Sequence, residues 1–352
     1  MEQSLLLVLL KLACGTLICI SALPLCVTVI IFHPYRILVL AVSKILRPDL
    51  ANLIQGVANV TFALGLGTVP AANICLCSTL DGVITVEEVR TRFQKNILNV
   101  CRPDGTKTYA KLQQTITTFM NYGFYRWVKD FNLNEYIRPY DYKGPLALPT
   151  SEGVSEKDLE RVAGKLISHP YAPGKSHWEL LVVQNYRPES NGDRKTLLVL
   201  RISHAIADGY SLKGLYYGIT DMPNSIKKYG RPQIKSKTWI KLLKMLLLPA
   251  RTLWDMGTLA VDVLFDECCW KIQRKEGVKG ECMAVFTKAV HLDAIKTIKN
   301  VHGVSYNSVL LTALSSSLHR AMTESCQRIP NKIYCIFPTP KPNHPGGLTN
   351  HL

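Results

Sequence analysis

Residues 198–212 read LVLRISHAIADGYSL, an apolar run that ends in a histidine, an aspartate and a glycine. Alternation along a strand predicts Leu198, Leu200, Ile202 and His204 on one face, with Arg201 and Ser203 on the other. An imidazole on the apolar face is partly desolvated, which favours its neutral form and leaves a ring nitrogen able to accept a proton near neutral pH. Asp208 suits a turn or an arginine partner better than a second base, and Gly209 is expected to permit a backbone turn that a side chain could block. As a plain alternative, the same residues describe a core histidine followed by an Asp-Gly turn.

Upstream, HWELLVVQNY (177–186) and TLLVLRIS (196–203) flank RPESNGDRK, where Asn191-Gly192 is a hairpin signal. The motif therefore ends the second strand of a predicted hairpin. Ile74–Leu80 reads as another strand. Thr85 to Glu88 is a capping box opening a helix with Val86, Val89, Phe93 and Ile97 on one stripe. Ser155 and Asp158 open a second helix with Leu159, Val162, Ala163, Leu166 and Ile167 at helical spacing. Beyond Gly280 the pattern predicts a strand VFTKAVHL, a helix from Asp293, a helix capped near Ser305 that runs through Met322, and a last strand KIYCIF. These elements predict a mixed α/β (α+β) chain with boundaries at 1–48, 49–225, 226–280 and 281–352.

The amino terminus is of another kind. Leu12 to Phe32 carries no charge, the length needed to cross a bilayer core, and no small-residue cleavage pattern follows it. Arg36, Lys44 and Arg47 lie after the run and only Lys11 before it, so the positive-inside rule predicts a single-pass anchor with a cytosolic body; the endoplasmic reticulum is the expected membrane. Pro24 and Pro34 leave a kinked or hairpin insertion open, and the sequon at Asn59 is expected to stay unmodified.

The chain has 352 residues and a formal net charge of +16, which calls for an anionic partner. Eight Lys or Arg and no acidic residue lie between Ser225 and Arg251. There Trp239, Leu242, Leu243 and Leu246 share a helical face, with Lys237, Lys241 and Lys244 on another, the pattern of an interfacial membrane helix or of a basic solvated face. Nucleic acid is not expected, because no recognition element accompanies the charge. The 11 cysteines form neither a zinc pattern nor a disulfide framework, so free thiols and no metal are expected. No G-x-S-x-G elbow is present, and Gly65-Leu66-Gly67 lacks dinucleotide-binding spacing.

SHAIADGYSL resembles the HHxxxDG signature of the wax ester synthase and diacylglycerol acyltransferase family, relatives of chloramphenicol acetyltransferase and condensation domains, with Ser203 at the first histidine. The likeness extends from Ile74 to about Asp221, including RWVKDFNLNEYIRP and Trp178-Glu179, which resembles the family's PLW element. It resumes at VFTKAVHLDAIKTIKNVHGVSYNSVLLTALSSSLHRAM, where Asn307-Ser308 stands at an Asn-Asp motif. The resemblance implies a chloramphenicol acetyltransferase-like two-lobe fold, here with an incomplete second lobe after the anchor. It also implies His204 as catalytic base, Asp208 as a structural member of the site, and Asn307 as a support of the fold or acyl channel. The activity implied is transfer of a long-chain acyl group from acyl-CoA, a substrate rather than a resident cofactor, to diacylglycerol or a fatty alcohol at a membrane. A membrane-associated lipid-binding protein without turnover is the alternative.

Overall fold

The computed structural model describes residues 2–56, 58–60, 72–149, 153–188, 193–220, 238–265, 283–288, 290–325, 329–330, 333 and 346–350. Its contacts divide the chain into two units. The sheet unit holds Tyr35–Pro232, Lys279–Phe286 and Pro338–Leu352, and the helical unit holds Met1–Pro34, Gln233–Val278 and Thr287–Phe337.

The sheet unit is built on four strands in the order β2-β7-β6-β5, where β2 is Asn73–Leu80, β5 Ile137–Pro139, β6 Trp178–Tyr186 and β7 Lys195–Ser203. Strand β7 pairs antiparallel with both neighbours, so Leu200 faces Leu76 on one side and Leu180 on the other. β5 runs parallel to β6. Because helices cover both faces, β7 is buried from Thr196 to Ile202, and for that reason its sequence is an almost unbroken apolar run rather than an alternating one.

Pleating still separates the two faces. Leu198, Leu200 and Ile202 join Trp178, Leu180 and Val182 under helix α2 (Val86–Phe93) and helix α4 (Gly209–Ile219), which contribute Val89, Phe93, Leu212, Leu215 and Ile219. Leu197 and Val199 join Leu181 and Val183 under helix α3 (Glu156–Ser168) through Leu159, Val162 and Leu166. Each large aliphatic or aromatic side chain taken out of water this way contributes about 1.5–3 kcal/mol. The capping boxes read at Thr85–Glu88 and Ser155–Asp158 are both formed, and α2 continues into a π-helical turn, Gln94–Leu98. A second sheet, β1-β4-β3, consists of Leu50–Leu53, Tyr122–Trp127 and Gln114–Phe119.

The helical unit contains the amino-terminal part of α1 (Glu2–Leu46), together with α5 (Thr238–Phe265), α6 (Leu292–Val301) and α7 (Tyr306–Glu324). Ser305 caps α7, accepting a bond from the Ser308 amide at 3.0 Å. Among the described residues, α1 is the one helix long and apolar enough to cross a membrane.

The expected strand VFTKAVHL is not a strand: its described residues are irregular up to α6. A strand needs a ladder partner, and here the Phe286 amide donates instead to the Glu160 carboxylate at 2.6 Å, with Val285 and Val290 exposed. Asn191-Gly192, Lys237 and all of KIYCIF except Ile333 lie outside the described residues.

Candidate active site

Strand β7 stops at Ser203, and the motif continues as a turn, so His204 is the first residue past the ladder rather than its last rung. Contacts from several elements hold that turn. The amides of Ser203 and His204 donate to the carbonyls of His177 and Ala72, each at 2.9 Å. The Ser203 hydroxyl accepts from the Ala205 amide at 3.2 Å. From the second sheet, the buried Tyr125 hydroxyl donates to the Ala205 carbonyl at 2.7 Å. The backbone around His204 is thus fixed from three directions, while its ring is half-buried. Its Nδ1 is buried and has no hydrogen-bond partner among the described residues, the kind of atom an incoming polar group would complete.

Asp208 is fully buried and caps α4, accepting from the Ser211 amide at 2.8 Å. The cap locks the end of the motif to the helix. Gly209 has a different part from the one expected. It is the first residue of α4, has no positive φ, and a Cβ there would meet nothing within 4 Å, so no close approach requires glycine. Trp178 starts β6, buried between Phe93 and Tyr136 at ring separations of 5.1 Å, and its indole N–H donates to the Leu112 carbonyl at 2.8 Å. Its role is to join β6 to the core. Asn307 lies in the helical unit, exposed on the first turn of α7. Lys213, near the motif in sequence, is exposed with its ammonium over the Tyr217 ring.

Several residues at the motif come from distant parts of the chain. The segment 346–350 lies along it: the Asp208 amide and the Ser211 hydroxyl donate to the Thr349 carbonyl at 3.1 and 2.9 Å, and the Asn350 side-chain amide donates to the His204 carbonyl at 2.6 Å. Leu348 is buried in the same cluster as Ile202 and Ile206. Gly347, at φ +63, allows this approach, since a Cβ would stand 2.5 Å from the Thr108 carbonyl oxygen. Lys111 packs its ammonium 4.8 Å from the Tyr125 ring centre. Burial pushes its pKa down to about 8, partly opposed by attraction to Asp208 and helped by repulsion from Arg102. No local pattern in the sequence marks these residues, because each reaches the motif only through tertiary packing.

Arg201, three residues before His204, serves the opposite face. Its side chain is 1% exposed, and its Nε donates to Glu179 at 2.7 Å. Glu179 also accepts from Arg138 at 2.7 Å and from the Tyr142 hydroxyl at 2.8 Å. The guanidinium further donates to the carbonyls of Leu166 and His169, closing the carboxyl end of α3. These residues border a cavity of about 430 Å³ that His204 does not line. Among the described residues no group of three potential ligands could hold a metal ion.

No family model matches the chain. Over 228 aligned residues it is 23% identical to the Arabidopsis thaliana wax ester synthase/diacylglycerol acyltransferase 10, covering 59% of this chain and 46% of the relative, so the chain spans about half the length of the curated protein it matches. Among solved structures, similarity is found to a wax ester synthase/diacylglycerol acyltransferase from Marinobacter aquaeolei VT8, with a TM-score of 0.43, 15% identity, and coverage of 78% of this chain and 61% of that one. The first condensation domain of the calcium-dependent antibiotic synthetase gives a TM-score of 0.40, 12% identity, and coverage of 77% and 61%. By sequence, this chain is similar to a wax ester synthase/diacylglycerol acyltransferase, the kind of protein whose signature its SHAIADGYSL motif resembles.

Proposed function

We propose that this chain is an acyl-CoA-dependent O-acyltransferase that acts at a membrane, in the endoplasmic reticulum, on diacylglycerol or a fatty alcohol, with His204 as its general base. The observation behind this reading is the His204 ring, held half-buried at the end of a rigid strand with a buried nitrogen that has no partner among the described residues. Its likeness to the acyltransferases supplies the reaction class. In that reaction the imidazole takes the proton of the acceptor hydroxyl as the oxygen attacks the thioester carbonyl carbon. The tetrahedral oxyanion collapses with cleavage of the carbon–sulfur bond, and the imidazolium returns its proton to the departing CoA thiolate, leaving ester, free CoA and neutral histidine. Asp208 positions the motif through the α4 cap, and Ser203 holds the turn through the Ala205 amide.

The basic stretch between Ser225 and Arg251 suits the phosphates of CoA or anionic lipid, and α1 keeps the protein where long-chain acceptors dissolve. The test uses membranes containing the full chain, supplied with labelled long-chain acyl-CoA and either diacylglycerol or a fatty alcohol. Labelled ester above that of membranes without the protein supports the proposal. Binding of acyl-CoA with no ester from either acceptor overturns it in favour of a lipid-binding role.

A further inference from the structure

In the helical unit, α1 and α5 meet where each carries a glycine. A Cβ on Gly15 would fall inside the Leu253 carbonyl, and one on Gly257 inside the Lys11 carbonyl and 3.0 Å from the Gly15 amide nitrogen. Lys11 therefore faces Gly257 while Gly15 faces Leu253, so the helices run antiparallel at the crossing. The Lys11 ammonium stands 5.5 Å from the Trp254 ring centre. Backbones that approach at glycine are the packing favoured in lipid, where apolar side chains gain little by leaving other apolar surroundings.

The outer surfaces of the pair fit the same solvent. Met245, Leu246, Leu247 and Leu248 are 54–68% exposed, and four consecutive residues cover every side of a helical turn. A helix resting on the interface would turn a polar side to water there. Arg251 and Asp255, one turn apart at 3.5 Å, neutralise each other.

Yet α5 has no route across. Before it, α4 is packed in the core of the sheet unit through Leu212, Leu215 and Ile219. After it, Phe286 is bonded to Glu160 of the same unit. The intervening residues 266–282, DECCWKIQRKEGVKGEC, carry eight charges and are no apolar return arm. The helix must enter and leave the bilayer by one face. Lys11 to Gly15, in backbone contact with it, share its depth. A straight single-pass α1 would instead place Gly15 nearly 20 residues, or about 28 Å, from Pro34, at the far side of the hydrocarbon core. Proline at 24 and 34 in α1, and at 249 in α5, interrupts the helical hydrogen bonding and permits bends.

We infer that α1 and α5 form a glycine-crossed pair buried in a single leaflet, entering and leaving the bilayer by one face, so that the amino terminus stays on the cytosolic side and the protein is monotopic. Anionic headgroups of that leaflet complement the basic Lys244 on α5.

The test fuses a glycosylation acceptor, an epitope and a long hydrophilic spacer to the amino terminus of the full chain, translated with sealed microsomes. The expected result is a carbonate-resistant product with an unmodified acceptor and an epitope removed by external protease. A glycosylated, protected epitope overturns the inference in favour of a single-pass α1, and release by carbonate overturns it by showing no insertion. Neither outcome depends on acyl transfer. The substitution Gly257→Leu, which wedges the helices apart, is expected to raise tryptic cleavage at Arg251 severalfold in the same microsomes. Unchanged cleavage would remove the glycine crossing from the account.

Discussion

Replacing Glu179 with glutamine would leave the Arg201 guanidinium buried at 1% exposure without its counter-charge. The carboxylate now holds three donors, from Arg201, Arg138 and the Tyr142 hydroxyl, at 2.7–2.8 Å. Glutamine keeps the shape but supplies one acceptor oxygen and an amide that cannot accept from the others. Breaking a buried ion pair from one side costs about 3–5 kcal/mol, since the stranded charge keeps its desolvation penalty. Set against a total stability of about 5–15 kcal/mol, that is a large fraction. Removing both charges, in Glu179→Leu with Arg201→Met, is expected to cost much less than the single change, because the desolvation is relieved along with the attraction. Urea unfolding of detergent-solubilised protein, followed by far-ultraviolet circular dichroism, gives both values. A loss below about 1 kcal/mol for Glu179→Gln, or a double variant as unstable as the single one, would refute the assignment of this pair as a buried clamp on β6 and β7.

Two further expectations concern pH. Burial, assisted by Arg201, holds the His177 pKa down at about 4. Because the folded value lies below the unfolded one, the unfolded chain takes up a proton first as pH falls, so stability is complete above about 6.5 and is lost towards pH 4, by about 3 kcal/mol at most. The His177→Gln variant should flatten that window in unfolding measured by pH. Lys111 has the same sign in a higher window: with its folded pKa near 8 and its unfolded value near 10.5, stability is reduced below pH 8 and rises by up to about 3 kcal/mol between pH 8 and 10.5. Substitution Lys111→Met should abolish that rise, and a rise that persists would place it elsewhere.

The parts of this fold legible in the sequence are those set by short-range rules. Capping boxes at Thr85 and Ser155 and the stripe from Val86 to Ile97 depend on residues three or four apart, and they stand as read. The hairpin strands were visible because β6 and β7 are long and apolar. The reading failed where the outcome depends on partners far along the chain. VFTKAVHL has strand composition but found no ladder. Alternation carried His204 onto the sheet, whereas the ladder ends one residue earlier. Gly209 was read as permitting a turn that a side chain could block, yet it opens a helix where a Cβ would meet nothing within 4 Å. The same limit hid Lys111, Tyr125 and Asn350, which are separated from His204 by 93, 79 and 146 residues respectively and meet its turn through the tertiary fold.

The most direct measurement is ester formation from saturating acyl-CoA in membranes carrying equal amounts of the wild-type chain, His204→Gln and Ser203→Ala. A general base contributes on the order of 10²–10⁴-fold to such a rate, so His204→Gln is expected to lose that much, while Ser203→Ala, which gives up one bond to the Ala205 amide, stays within about twofold of wild type. Equal rates from wild type and His204→Gln would contradict the account.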